Sequence, residues 1–299
     1  MSEKMSPKVT ASVLISTYNW PWALEKVFWG FFAQNRRDFE LLIADDGSRP
    51  ETAELVARMA ARSPVPVTHV WQPDAGFGKC RILNKALALA AGERIIVTDG
   101  DCVVRNDFVD THIGQARPGH FLSGSYFKQT PETSAAIDEA SVASQACFTP
   151  RWLMAHGAPA RRMVKVIGRG RLGWLMDRLS GASPTWNGHS ASCLRSEALA
   201  VNGFNEEMGY GGLDVEFGLR LNRLGLIAWR IRFSTVALHL HHERGYATAE
   251  MRAGSRDVKE RTRALGLLRA ERGVDQWLGP DGAAQLGPED RVTRYPAAL

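Results

Sequence analysis

The chain has 299 residues, of which 44% are hydrophobic and 23% charged, with a formal net charge of +5. That balance suits one large α/β domain or two small ones, excludes disorder except at the ends, and points to anionic partners without naming them. Four widely spaced cysteines, Cys80, Cys102, Cys147 and Cys193, form neither a CxxC pair nor a zinc spacing, and there is no signal-like apolar region and no run of the ~20 apolar residues that a membrane span needs.

Residues 12–19 (SVLISTYN) read as a short strand that ends in polar residues. Residues 22–34 read as a helix, with Pro21 at its first turn. A second strand spans 39–48 (FELLIADDGS), a helix 51–61, a third strand 67–72, an Ala- and Leu-rich helix 81–91 and a fourth strand 94–101 (RIIVTDGD). Strand and helix alternating in this way predict a doubly wound, parallel sheet. Ligands of such sheets bind outside the carboxyl ends of the strands. Thr17, Tyr18 and Asn19, then Asp45 and Asp46, then Asp99 and Asp101 all fall at those ends.

Between residues 151 and 178 there are seven basic residues against one acid, Asp177, interleaved with apolar ones. The segment reads either as a surface helix with a solvated charged face or as a wall that docks an anionic or membrane-borne acceptor. Residues 249–272 read as a charged amphipathic helix. The tail carrying Pro280, Pro288 and Pro296 reads as loosely ordered. The expected location is the cytoplasm, with peripheral contact to the inner face of a membrane.

Four groups of residues carry chemistry. Asp99-Gly100-Asp101 ends a buried strand, and its two carboxylates suit one hard divalent cation together with a sugar ring; the alternative is a solvated loop. Asp46, in Asp45-Asp46-Gly47-Ser48, suits a nucleobase or ribose; the alternative is an Asp-Gly turn. Asp214 begins a helical pattern, where backbone N–H groups favour the ionised carboxylate and lower its pKa. It is then either a base or a helix cap. In His239-Leu240-His241-His242, His239 and His242 are spaced to share a cation such as Mn²⁺, or are ordinary structural histidines.

Together these residues resemble family 2 glycosyltransferases of the GT-A fold, in order from about residue 11 to about residue 242. SVLISTYN is similar to the family's first strand, LLIADDGS to its second, and GFGKCRILNKALALAAGERIIVTDGD to its Arg/Asn helix and DxD strand. NGHSASCLRSEALAVNGFNEEMGYGGLDVEFGLRLNRLG resembles the acceptor-side region shared with β-1,4-galactosyltransferases, and LHLHHE the histidine segment that closes the metal site. The resemblance implies a GT-A fold: a doubly wound, mostly parallel sheet with an acceptor-side subdomain. Residues 1–117 would be the nucleotide-sugar half, 118–248 the acceptor-binding and metal-closing half of the same domain, and 249–299 a C-terminal helix and tail.

The resemblance also implies roles. Thr17, Tyr18, Asn19, Asp46, Arg81, Asp99 and Gly100 would bind the donor, and Asp101, His239 and His242 would bind Mn²⁺ or Mg²⁺. Asp214 would be the catalytic base. Apart from the resemblance, Trp186 and His189, in the loop over 183–192 that shapes the pocket, are expected to contact the acceptor, with Gly212. The implied reaction is inverting transfer from a nucleoside-diphosphate sugar, with UDP as the expected nucleotide, to a saccharide or glycolipid hydroxyl, as in cell-surface polysaccharide assembly. No nucleic acid is expected as a partner. Leu213 stands where the family has the first acid of a pair. Rival readings are a haloacid-dehalogenase-type phosphatase, whose nucleophile motif Asp99 to Val103 superficially fits, and a sugar-nucleotide-binding module without turnover. A nicotinamide enzyme is weaker, because Gly76-Phe77-Gly78 lacks a third glycine.

Overall fold

The computed structural model describes residues 9–160, 163–181, 184–242 and 248–298. The first strand, β1 (Ala11–Thr17), alternates its apolar side chains between two covered faces. Val13 and Ile15 pack with α1 (Pro21–Phe32) and α2 (Pro50–Ala60), while Leu14 packs on the opposite face with α3 (Lys79–Leu89). Pro21 and Pro50 sit in the first turns of their helices, where a missing N–H is tolerated. Strands β2 (Phe39–Asp45), β3 (Val67–Trp71) and β4 (Arg94–Asp99) run parallel in the order β3-β2-β1-β4. The strand order therefore reverses between β1 and β4, and a crevice opens at their carboxyl ends.

Beyond β4 the elements are shorter: β5 (Cys102–Val104), α4 (Phe108–Gly114), β6 (His120–Ser123), β7 (Tyr126–Lys128), α5 (Pro131–Ala136), α6 (Glu139–Ala143) and α7 (Pro150–Ala155). Then follow α8 (Val164–Ile167), α9 (Gly170–Leu179), β8 (Ala191–Leu194), α10 (Arg195–Ala200), α11 (Leu213–Arg223), β9 (Ile227–Arg230), β10 (Ala237–His239), α12 (Ala249–Leu265) and β11 (Arg291–Tyr295). Antiparallel β8 joins β4, and β6 and β9 follow, so one eight-stranded sheet runs through both halves of the chain. A small sheet, β5-β10-β7, stands beside it. It carries His239 to the mouth of the crevice.

Several expectations are corrected. The fourth strand stops at Asp99, because Gly100 turns the chain and donates its N–H to Ser16 O at 2.8 Å. A Cβ on Gly100 would stand 2.9 Å from that same oxygen. The histidine segment starts within a strand, since β10 (Ala237–His239) includes His239. The helix expected over 249–272 ends at Leu265, where Gly266 takes the left-handed conformation at φ 61°. Among the described residues the basic segment holds three short helices, not one; Arg161 and Arg162 lie outside the described residues. The tail is not loose: β11 pairs antiparallel with β3. The β-branched and aromatic Val292, Thr293 and Tyr295 suit an edge strand, and Lys85 Nζ holds Asp290 Oδ1 at 2.7 Å beside it. Among the described residues no helix is long and apolar enough to cross a membrane.

Candidate active site

A cleft of about 770 Å³ opens at the carboxyl ends of β1 and β4. It is lined by Thr17, Tyr18, Asp46, Lys79, Asp99, Gly100 and Asp101 on the strand side. Trp186, Asn187, His189, Gly212, Leu213, Asp214, His239 and His242 line it elsewhere. Asn19 and Arg81 are not among the lining residues.

On the strand side the carboxylates are already engaged. Asp46 Oδ1 accepts from Gln72 Nε2 at 2.6 Å and Oδ2 from the Gly78 N–H at 2.8 Å. Burial pushes its pKa up to about 6, against the pull of these hydrogen bonds and of Arg81. Its neighbour Asp45 is fully buried; it accepts the Ser48 N–H at 2.9 Å and pairs with His69 at 2.9 Å, so it braces the turn. Asn19, at φ 48°, accepts the Arg49 N–H at 2.8 Å and ties the ends of β1 and β2 together. Tyr18 is 48% exposed and donates to Asp74 at 2.9 Å. Asp99 Oδ1 accepts from Ser16 Oγ at 3.0 Å and from Lys79 Nζ at 2.5 Å.

At the mouth, two imidazoles converge on one carboxylate oxygen. His242 Nε2 lies 3.1 Å and His239 Nε2 3.7 Å from Asp101 Oδ2, and the two rings stack at 5.3 Å. His239 Nδ1 donates to Leu240 O at 2.8 Å, which fixes the tautomer and leaves Nε2 as a lone pair when the ring is neutral. A lone pair aimed at a carboxylate needs a cation between them, so the donor set fits a metal or a proton. Cys102 Sγ adds a third group, 3.4 Å from Asp101 Oδ1. His241 is held elsewhere: its N–H donates to Ser134 Oγ at 2.8 Å.

Asp214 enters from α11. The helix cap is Gly212, at φ 83°, and no side chain caps it, so Asp214 is not a capping residue. Its Oδ1 is buried and has no hydrogen-bond partner among the described residues. The expected low pKa is overturned: burial raises it to about 6, with Lys79 pulling down and Asp99 pushing up. Desolvation outweighs the helix dipole here. Leu213 is 6% exposed and belongs to the main core, which gives the apolar residue at that position a packing role. Trp186 is 1% exposed and packs against Phe121 and Phe217, with ring centroids at 5.9 and 4.7 Å. His189 stands edge-on to Tyr126 at 4.4 Å, and burial pushes its pKa down to about 4.

Residues 12–134 match the family described as glycosyl transferase family 2. That match runs from β1 into α5. An O-antigen biosynthesis protein of Myxococcus xanthus is 27% identical over 308 residues, covering 98% of this chain and 21% of that protein. Validoxylamine A glucosyltransferase of Streptomyces hygroscopicus subsp. jinggangensis is 25% identical over 72% of this chain and 52% of that enzyme. An uncharacterized glycosyltransferase of Nostoc sp. is 30% identical over 92 residues, 31% of this chain and 28% of that one. The chain thus spans about half or less of the length of these relatives. Among solved structures, a mannosyltransferase of Pyrobaculum calidifontis in complex with GDP-Man and Mn²⁺ aligns at TM-score 0.53 and 20% identity, covering 81% of this chain and 61% of that one. TarS of S. aureus in complex with UDP-GlcNAc aligns at TM-score 0.54 and 14% identity, covering 89% and 69%. The fold is that of the GT-A glycosyltransferases.

Asp99 to Val103 follows three strands within the segment that matches the glycosyl transferase family 2 model, which favours that reading over the phosphatase one. Lys79 was not anticipated. Burial lowers its pKa, yet Asp99, Asp214 and Asp101 together hold it above its ordinary value. The signal was a cation in the first turn of a helix, where the dipole opposes it and only nearby acids make it stable. Lys79 and Arg81 are two apart on α3, so they leave the helix on different sides. Lys79 meets Asp99, while the charge of Arg81 acts on Asp46. Asn187 was also missed. It donates to Ser123 Oγ at 2.9 Å and accepts the Ser190 N–H at 2.9 Å, so it shapes the loop beside Asp214.

Proposed function

We propose that this chain transfers a sugar, with inversion, from a nucleoside-diphosphate sugar to a hydroxyl of a saccharide acceptor, free or lipid-carried. One observation carries this reading. A single cleft holds a buried carboxylate oxygen without a hydrogen-bond partner among the described residues, Asp214 Oδ1, and a cluster that demands a cation, Asp101 with His239 and His242. Asp46 accepts hydrogen bonds from the base or ribose, and Thr17, Tyr18 and Gly100 line that pocket. Asp99 accepts from the ribose or donor sugar. Lys79 places a second positive charge beside the diphosphate. Asp101, His239 and His242 would hold Mn²⁺ or Mg²⁺, which when bound would neutralise charge developing on the diphosphate as a Lewis acid.

Asp214 Oδ1 takes the acceptor hydroxyl proton as that oxygen bonds to the anomeric carbon. The bond from the anomeric carbon to the phosphate oxygen breaks in the same displacement, through oxocarbenium-like character. The nucleoside diphosphate leaves, and the anomeric centre is inverted. His189 and Gly212 lie on the acceptor side, with Trp186 as the packed floor.

A thermal-shift screen with Mn²⁺ against UDP-, GDP-, CMP- and dTDP-sugars tests this, with UDP-sugars expected to respond. Stabilisation by one nucleotide class, lost in Asp101→Ala, is the expected outcome. No shift with any nucleotide would sink the transfer reading. Binding without donor hydrolysis or transfer would leave a sugar-nucleotide-binding module.

A further inference from the structure

Helix α9 is mounted with its polar side inward. Its buried face is Gly173 and Asp177. Asp177 accepts the N–H groups of Phe233 and Ser234, at 2.9 and 3.0 Å, and the Ser234 hydroxyl at 2.6 Å. A Cβ on Gly173 would stand 2.5 Å from Phe233 O, so the backbones touch and no apolar residue fits between them. The apolar residues face outward. Leu172, Leu175 and Leu179, one stripe of the helix, are 51%, 48% and 78% exposed, and Trp174 beside them is 43% exposed. On α8, Val164 and Ile167 are each 50% exposed. A helix on an aqueous surface arranges these residues the other way round.

The charge on this face has one sign. Among residues 163–181 the only acid is Asp177, which is buried, whereas Arg169, Arg171 and Arg178 are exposed. Arg178 lies over the rings of Trp174 and Trp229, at 4.4 and 4.9 Å. A second copy of the chain would bring the same cations against these, which disfavours a self-complementary contact. An anionic lipid surface matches both the apolar stripe and the arginines. The face also adjoins the cleft. Lys165, on α8, donates to Tyr126 O at 2.9 Å, and Tyr126 lines the cleft, as do Thr185 to Asn187 after α9.

We propose that the outward face of α8 and α9 docks on an anionic lipid bilayer, so that an acceptor carried on a lipid is presented to the cleft. The docking stands on the face itself; the acceptor part rests on the transfer reading above. Co-sedimentation of the full chain with phosphatidylcholine/phosphatidylglycerol vesicles tests it, with pure phosphatidylcholine vesicles as the comparison. Pelleting that needs phosphatidylglycerol and weakens with salt is expected. Leu175→Asp with Leu179→Asp should lower binding by more than about tenfold, and Arg171→Gln by about fivefold, with unchanged melting temperature and unchanged transfer to a soluble acceptor. No pelleting, equal pelleting on neutral vesicles, or full binding by both variants overturns the proposal. A dimer in solution that the leucine variants split would overturn it too, assigning the face to a second copy. Lost vesicle binding with intact donor binding sinks the docking alone; absent donor binding with intact vesicle binding sinks the transfer alone.

Discussion

On the strand-end side of the cleft, Asp46 and Asp99 each already accept two hydrogen bonds from the protein. On the α11 side, Asp214 keeps one buried oxygen with no partner among the described residues. A carboxylate whose bonds are satisfied is fixed in place and contributes to binding at little cost in ordering. A buried carboxylate with an open lone pair is unfavourable until something donates to it, and a substrate hydroxyl can. Under the proposed transfer, recognition falls to the first wall and proton transfer to the second.

The largest effect that would sharpen this contrast is on Asp214. Asp214→Asn should lower kcat by about 10²–10⁴-fold while leaving donor-induced thermal stabilisation in place; loss of donor stabilisation instead would move Asp214 to the recognition wall. The same residue sets a pH dependence. A base works only when deprotonated, and burial holds Asp214 at a pKa of about 6. Activity should therefore be full above that value and fall as pH drops through it, at saturating donor and metal. A profile flat down to pH 4 would break the assignment.

Asp46→Asn should have a smaller effect of another kind. It keeps the shape of the pocket but alters the hydrogen bonds with Gln72 and Gly78, so the donor KM should rise about tenfold with kcat nearly unchanged. Equal losses in kcat would erase the difference between the walls.

The smallest effect is on stability. His112, behind the 187–190 loop, lies between Ser192 Oγ at 2.9 Å and Ser190 Oγ at 3.3 Å. Burial pushes its pKa down to about 3, below its unfolded value. The unfolded chain thus takes up the proton first as pH falls. His112 favours folding fully above about pH 6.5, and that contribution is lost progressively towards pH 3. Chemical denaturation of wild type and His112→Gln across that range should show a shallower acid decline in the variant.

The strand ends were readable because buried parallel strands are continuous apolar runs that break into polar residues where the crevice lies. Thr17, Asp46, Asp99 and Asp101 follow from that alone. Asp214 and the histidines were readable from the residues themselves only as isolated groups, joined by the family resemblance alone, since nothing local says that residues more than a hundred positions apart share a cleft. Trp186 shows what residue type leaves open: the sequence offers it as an acceptor-side contact, and its packing between Phe121 and Phe217, at the cleft's lining, comes only from the fold. Lys79 lay inside a quoted motif and was passed over for Arg81, because which of two cations faces the cleft depends on the rotation of α3. Helix α9 reads as ordinary amphipathic sequence, and only the backbone contact at Gly173 reveals which side faces out.

The pairing of β11 with β3 has a consequence for how the chain folds. Arg291 lies opposite Trp71, 220 positions earlier (291 − 71). Until that distant segment is made and returns, the edge of β3 presents unpaired backbone groups from a β-prone run, a surface on which other chains can add. Closing so long a loop is slow, because the chain's freedom is given up before the contact rewards it. The nascent protein therefore carries an open sheet edge from the time β3 is made until β11 returns to it, and its yield in a cell should depend on how well that edge is shielded in the interval.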